Sequence, residues 1–78
     1  MKLNDFVTKE MQKYDLPDAW LHEVQLIAEG KASADSAKQR GVGLDAVKMQ
    51  RKKIFKKLDV DDGRQILVNL LRTAVSRL

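Results

Sequence analysis

The sequence predicts an all-α protein, with a short N-terminal helix followed by four further helices. Three observations lead to this prediction. Apolar residues recur every three or four positions along most of the 78 residues, no stretch alternates as a half-buried strand does, and Gly or Pro residues separate the periodic stretches. A chain of this length is expected to form one hydrophobic core.

Residues 1–17 are predicted to be a helical extension, with a helix over about 5–14. Asn4 is suited to cap this helix. Its apolar positions recur at helical spacing: Phe6, Val7, Met11 and Tyr14. Leu16-Pro17-Asp18 ends the segment and starts the next, because Pro favours the first turn of a helix.

The second predicted helix covers about 19–29 and ends at Gly30, a residue type common just beyond a helix C-terminus. One face collects its apolar residues: Leu21, Val24, Ile27 and Ala28. His22, Glu23 and Gln25 fall elsewhere on the helical wheel, so we expect them to lie off the buried face.

A short helix over about 33–40 follows, with Ser33 as its expected cap and Ala37 turned inward. After the break at Gly41-Val42-Gly43, a longer helix is predicted over 44–58. Its apolar sector contains Val47, Ile54 and Leu58, with Leu44 and Phe55 at the edge. Its opposite side carries Met49, Lys52, Lys53 and Lys56, flanked by Lys48. Arg51 falls on the apolar side, where its stem can pack while its guanidinium reaches outward.

The last predicted helix covers about 62–77, after a turn in which Asp61 or Asp62 can act as cap and Gln65 can reach back. Its apolar stripe is two residues wide at each turn, wider than packing against one small core requires. We assign the excess to a homodimer interface. These residues are Leu67, Leu71, Val75 and Leu78.

Charge is concentrated in the middle of the chain. Residues 31–57 carry nine Lys or Arg and two Asp, a net charge of +7, whereas the whole protein has +4. This asymmetry favours a polyanionic partner for the middle segment, although a run of charges can also be only a solvated helix face.

Several classes of function have no support in the sequence. There is no Cys, no apolar run near the ~20 residues that span a bilayer, and no signal-peptide pattern, so we expect a cytoplasmic protein without membrane contact. His22 stands alone, and Ser33 and Ser36 have no partner for nucleophilic chemistry. Gly41-Val42-Gly43 follows a helix rather than a strand, so it is not a nucleotide-binding loop. We expect no enzyme, no cofactor and no metal site.

The order helix, Gly-containing turn, short helix, tight turn, basic helix is the plan of a helix-turn-helix motif, whose second helix enters the major groove of DNA. Residues 26–31, 33–42 and 46–60 together resemble the LuxR/FixJ-type (GerE-like) helix-turn-helix domain. The resemblance runs without a gap from Leu26 to Val60 and continues into the last helix. It implies a four-helix domain over 18–78, with a DNA-reading third helix and a fourth helix that often forms the dimer.

Carried over by position, the resemblance assigns base reading to Lys48, Met49 and Lys52, and phosphate contacts to Lys53, Lys56 and Gln50. Met49 could contact a thymine methyl group or could be only an exposed apolar residue. Trp20 is expected to pack rather than to stack on a base.

The chain departs from the family pattern at several positions. Gly43 replaces a capping Ser, Ala46 a Thr and Gln50 a His. Ser36 replaces a buried Ile, Arg40 a Leu and Asp59 a Gly. These differences make the chain a diverged member if it belongs to the family.

The sequence therefore predicts a homodimeric transcriptional regulator that binds a pseudo-palindromic DNA site through helix 44–58. The alternative is a protein-interaction module that binds another regulator or RNA polymerase with little DNA contact. A third hypothesis is nonspecific coating of nucleic acid.

Overall fold

The computed structural model describes residues 2–78; residue 1 of the predicted extension lies outside them. Five α-helices follow one another: α1 (Leu3–Met11), α2 (Asp18–Ala28), α3 (Ser33–Arg40), α4 (Leu44–Leu58) and α5 (Gly63–Ser76). One 3₁₀ turn, Gln12–Tyr14, continues α1. The described residues contain no strand, so the prediction of an all-α fold is confirmed.

Most predicted helix bounds agree with the structure to within one residue, and the first helix is the exception. It begins at Leu3, with Lys2 at the N-cap position, so the prediction of Asn4 as cap was wrong. Asn4 instead lies within the first turn, where its carbonyl accepts a hydrogen bond from Thr8 Oγ1. Ser33 was also a wrong cap, because it is the first residue of α3 and Ala32 precedes it as N-cap.

Three helices end in the same left-handed turn. Gly30 after α2, Gly41 after α3 and Asp59 after α4 have φ of 84°, 69° and 56°. In each turn the amide of the following residue donates to the carbonyl five positions earlier, as Val42 N does to Ala37 O at 3.0 Å. This closure satisfies carbonyls at the helix end that have no partner inside the helix.

The N-terminus of α5 has the predicted caps. Asp62 Oδ1 accepts a hydrogen bond from Gln65 N at 3.0 Å, and Gln65 Oε1 accepts one from Asp61 N at 2.9 Å. Gly63, the first residue of α5, lies against α2, since a Cβ added there would be 3.1 Å from Ile27 Cγ2. The small residue allows this close approach.

The apolar core lies where α1, α2, α4 and α5 meet. Helix α2 is central, because it packs against α1, α4 and α5, while α3 packs against α4. We use "apolar core" for eight buried residues: Val7, Met11, Val24, Ile27, Ile54, Leu58, Ile66 and Leu70. Trp20 packs on its edge, as expected. Burial of Val47 and Ala37 agrees with the helical wheels.

Two expectations about polar residues on α2 and α4 were wrong. Glu23 was expected off the buried face, but its side chain is fully buried. Arg51 was expected to extend its guanidinium outward, but that group turns inward to Glu23. Both deviations have one cause, a polar cluster between α2, α3 and α4 that is described below.

No helix within residues 2–78 combines the length and apolar character required to cross a bilayer.

Candidate nucleic-acid interface

One side of α4 forms an exposed basic surface. Its apolar side is buried at Val47, Ile54 and Leu58, so the opposite side must face solvent. We use "basic face" for five exposed residues of that side: Lys48, Met49, Lys52, Lys53 and Lys56. All were predicted site residues, and Met49 is 60% exposed, a large fraction for an apolar side chain.

The lysines of the basic face are not neutralised within the described part of the chain. The ion pairs among residues 2–78 involve Arg40, Arg51 and Arg77, and none involves a lysine. Lys48 and Lys52, and then Lys52 and Lys56, are four residues apart, a spacing at which like charges destabilise a helix by about 0.2–0.5 kcal/mol per pair. The helix therefore carries a row of positive charge at some cost to its own stability.

The turn between α3 and α4 is short. Gly41 closes α3, and Gly43 is the N-cap of α4 with extended backbone and no side-chain hydrogen bond. A Cβ added at Gly43 would meet no heavy atom within 4 Å. Asp45 supplies negative charge in the first turn of α4, where the helix dipole favours it.

Gln50, the sixth predicted DNA-binding residue, has a different environment from the other five. It is half-buried, and its Oε1 accepts a hydrogen bond of 2.6 Å from Arg40 Nη1. Gln50 is thus joined to α3, whereas the side chains of the basic face extend into solvent.

The same Arg40 atom also binds a buried carboxylate. Arg40 Nη1 lies 2.5 Å from Glu23 Oε1, and Ser36 Oγ donates to that oxygen at 2.5 Å. Arg51 Nε donates to the other oxygen, Glu23 Oε2, at 2.6 Å. We call these four residues, Glu23, Ser36, Arg40 and Arg51, the glutamate cluster.

The glutamate cluster also reaches the loop after α2. Arg51 Nη2 donates to the backbone carbonyl of Lys31 at 2.8 Å. Within residues 2–78, every buried side-chain nitrogen or oxygen has a hydrogen-bond partner. The cluster therefore ties α2, α3, α4 and one loop together without leaving a buried polar atom unpaired.

The Glu23 carboxyl group is held in its ionised form. Burial alone would raise its pKa, because it disfavours the charged form. The hydrogen bonds from Ser36, Arg51 and Arg40, together with the positive charge of Arg51, outweigh burial, so the pKa of Glu23 lies below its ordinary value. The cluster carries one negative and two positive charges.

A second exposed surface lies on α5 and at Leu78, just beyond the C-terminal end of this helix. Ile66 and Leu70 are buried, whereas the four predicted dimer residues are exposed: Leu67, Leu71, Val75 and Leu78. Leu71 and Val75 are 64% and 57% exposed. The wide stripe noted in the sequence thus separates into a buried half and an exposed half.

Sequence reasoning missed the glutamate cluster, although signals for it were present. Glu23 lies one helical turn before buried Ile27, and Ser36 and Arg40 are polar where the resembled pattern is apolar. The three polar positions together could have indicated a buried ion pair.

Comparisons with protein-family models, with curated proteins and with solved structures found no match for this chain. Fold and site define residues 2–78 as a small all-α protein that presents a basic helix face without an acidic partner among these residues and an exposed apolar surface on its last helix.

Proposed function

We propose that this protein is a sequence-specific DNA-binding transcriptional regulator, with α4 as the helix that enters the major groove. The observation that carries the proposal is the basic face: four lysines without an acidic partner in the described residues, on a helix whose other side is buried. An α-helix fits a major groove about 12 Å wide. The order of α2, α3, the short turn and α4 also supports a helix-turn-helix of the LuxR/FixJ type.

Each part of the basic face has a role in this proposal. Lys48, Met49 and Lys52 read base edges, where lysine can donate to guanine O6 and N7 and methionine can contact a thymine methyl group. Lys53 and Lys56 bind phosphates, which gives affinity without sequence information. Gln50, which lies outside the basic face, adds a phosphate contact.

The exposed apolar residues of α5, together with Leu78 beyond its end, support a homodimer. Two copies that pair Leu67, Leu71, Val75 and Leu78 around a two-fold axis would remove an apolar surface from water. Such a dimer binds a pseudo-palindromic site with half-sites about 34 Å apart, one turn of DNA. We propose that it does so in the cytoplasm.

The experiment is selection of binding sites from a random duplex pool, followed by affinity measurements over a salt series. We expect an enriched symmetric site bound at least ~10³-fold more tightly than scrambled DNA. Lys48→Ala and Lys52→Ala should each lower affinity for the selected site by about 5- to 150-fold, from about 1–3 kcal/mol per base contact. Lys9→Ala, an exposed lysine of α1, is the matched control and should leave affinity unchanged.

Two results would contradict the proposal. Absence of any enriched site, with residual binding that fades with salt, would contradict sequence-specific binding. Full activity of both α4 variants would contradict reading of DNA by this helix. Sedimentation tests the dimer separately. A single species of 8.9 kDa, the mass of one chain, at micromolar concentration would contradict the dimer.

A second candidate function is a module that binds another regulator or RNA polymerase. The exposure of Leu71 and Val75 favours it, because an apolar helix face fits a protein partner as well as a second copy. Leu71→Asp separates the two candidates. It should disrupt the dimer and weaken binding to a two-half-site duplex, while binding to a half-site stays unchanged if the regulator proposal is correct.

A further inference from the structure

The contacts of Gln50 give its two polar atoms different environments. A guanidinium carries only donors, so the Gln50 atom that faces Arg40 Nη1 at 2.6 Å must be the carbonyl oxygen. The carboxamide nitrogen Nε2, with two N–H donors, has no hydrogen-bond acceptor among residues 2–78. Gln50 therefore directs its acceptor toward α3 and keeps its donors available.

Arg40 is itself held in place by the glutamate cluster. Its Nη1 bonds Glu23 Oε1 and Gln50 Oε1 together, and its side chain is only 13% exposed. Glu23 is in turn fixed by Ser36 and Arg51. A continuous chain of hydrogen bonds thus runs from a buried carboxylate on α2, through α3, to a half-buried amide on α4.

This arrangement limits what Gln50 can recognise. Bidentate recognition of adenine requires the Gln oxygen to accept and the nitrogen to donate at the same base edge. Because the Gln50 oxygen is turned toward Arg40, only the Nε2 donor remains for DNA. A donor beside a basic surface is suited to a phosphate oxygen. Because the side chain is oriented before binding, less rotamer entropy is lost on binding.

We propose that Arg40, held in place by Glu23, is a positioning residue for nucleic-acid binding: it orients the Gln50 carboxamide so that Nε2 donates to a phosphate oxygen of DNA. The inference rests on the proposed function and specifies how α3 and α4 cooperate in it. In this proposal Arg40 itself contacts no DNA.

The first test changes the donor and keeps the acceptor. Gln50→Glu retains an oxygen for Arg40 but removes the N–H groups, so the protein should melt at the same or a higher temperature and bind DNA about 10-fold more weakly. The loss should be equal for the selected duplex and for a scrambled duplex, because phosphates carry no sequence information. Gln12→Glu, on the 3₁₀ turn, adds the same charge and is the matched control. A loss confined to the selected duplex, or no loss, would overturn the inference.

The second test asks whether Arg40 acts through Gln50. Arg40→Met leaves Glu23 paired with Arg51 and Ser36, so this variant keeps two of the three contacts to the carboxylate. Gln50→Ala should lower DNA affinity about 3- to 10-fold. Arg40→Met should lower DNA affinity in the wild-type background and should lower it no further in the Gln50→Ala background. Equal losses in both backgrounds would show a direct contact from Arg40 and overturn the positioning role.

The salt series separates a neutral phosphate contact from a charged one, because only a charged contact contributes to the slope. Gln50 is neutral, so Gln50→Ala should shift the plot of log affinity against log salt without changing its slope. Lys53→Ala should reduce the slope by about 1, because it removes one phosphate neutralisation. A reduced slope in Gln50→Ala would contradict a neutral phosphate contact.

Failure of the inference differs visibly from failure of the proposed function. If the lysine variants lose binding while the Gln50 and Arg40 variants keep it, the regulator proposal stands and the positioning role is wrong. If the wild-type protein binds no duplex at all, both are wrong.

Discussion

The apolar core and the glutamate cluster hold the same two helices together by different physical means. Helix α2 contributes Val24 and Ile27 to the core and Glu23 to the cluster, and α4 contributes Ile54 to the core and Arg51 to the cluster. The core is held by burial of apolar surface, which is non-directional and nearly proportional to area. The cluster is held by hydrogen bonds and ion pairs, which depend on distance and angle.

The apolar core and the glutamate cluster therefore contribute differently to the stability of the fold and to the orientation of its helices. Removing two or more charges from water is costly, and mutual attraction repays that cost only with good geometry, so a buried ion pair adds little net stability. The cluster does, however, contact α2, α3 and α4 at defined atoms. We therefore expect the apolar core to supply most of the free energy of folding and the cluster to set how α3 and α4 are oriented.

The largest expected effect comes from removing one partner of the cluster. Glu23→Ala leaves Arg40 and Arg51 without their carboxylate and should lower the free energy of unfolding by about 3–5 kcal/mol. Urea unfolding followed by circular dichroism measures this loss. A loss below about 1 kcal/mol would show that water replaces the carboxylate and that the cluster is not a closed unit.

Replacement of the whole cluster is the matched comparison. The variant Glu23→Leu, Ser36→Ala, Arg40→Met, Arg51→Met has apolar side chains of similar volume and no unpaired charge. Its stability should be within about 2 kcal/mol of the wild type, on either side. If it is as unstable as Glu23→Ala, the cluster contributes stability of its own and the division proposed here is wrong.

The next effect tests the apolar core. Ile54 is fully buried, and Ile54→Ala should lower the free energy of unfolding by about 3 kcal/mol, through lost burial and the cavity left behind. Met49→Ala is the control on the same helix, since an exposed side chain should change stability by less than about 0.5 kcal/mol. Similar losses of unfolding free energy for both variants would mean that the Met49 side chain is buried in solution rather than exposed.

The sequence predicted the apolar core well and the glutamate cluster poorly. Helical wheels located Val24, Ile54 and Leu58 in the core, because apolar burial depends mainly on position around one helix. They located the lysines of α4 on the outside for the same reason. The position of Glu23 was predicted wrongly, because a helical wheel assigns a charged residue to the exposed side unless a buried partner is known. Its partners lie 13, 17 and 28 residues further along the chain, which only the tertiary fold brings together.

The pH dependence of stability should separate the cluster from the core. Glu23 has a folded-state pKa below its ordinary value of 4.5, so folding favours its ionised form. That contribution is complete above pH 4.5 and is lost as the pH falls through the lower folded-state pKa. The difference in unfolding free energy between wild type and Glu23→Gln, measured in urea from pH 7 to pH 3, should shrink below pH 4.5. A difference that stays constant over this range would contradict an ionised Glu23.

The smallest expected effect lies in the backbone and touches neither group of side chains. Asp59 has φ of 56°, a conformation that costs most residues about 1–2 kcal/mol and Gly almost nothing. Its negative charge also lies at the C-terminal end of α4, where the helix dipole disfavours it. Asp59→Gly should therefore raise the free energy of unfolding by about 0.5–1 kcal/mol, after allowance for the greater freedom of Gly in the unfolded chain. Asp59→Asn removes the charge alone and should give a smaller gain; equal gains would assign the whole effect to the dipole and none to the backbone.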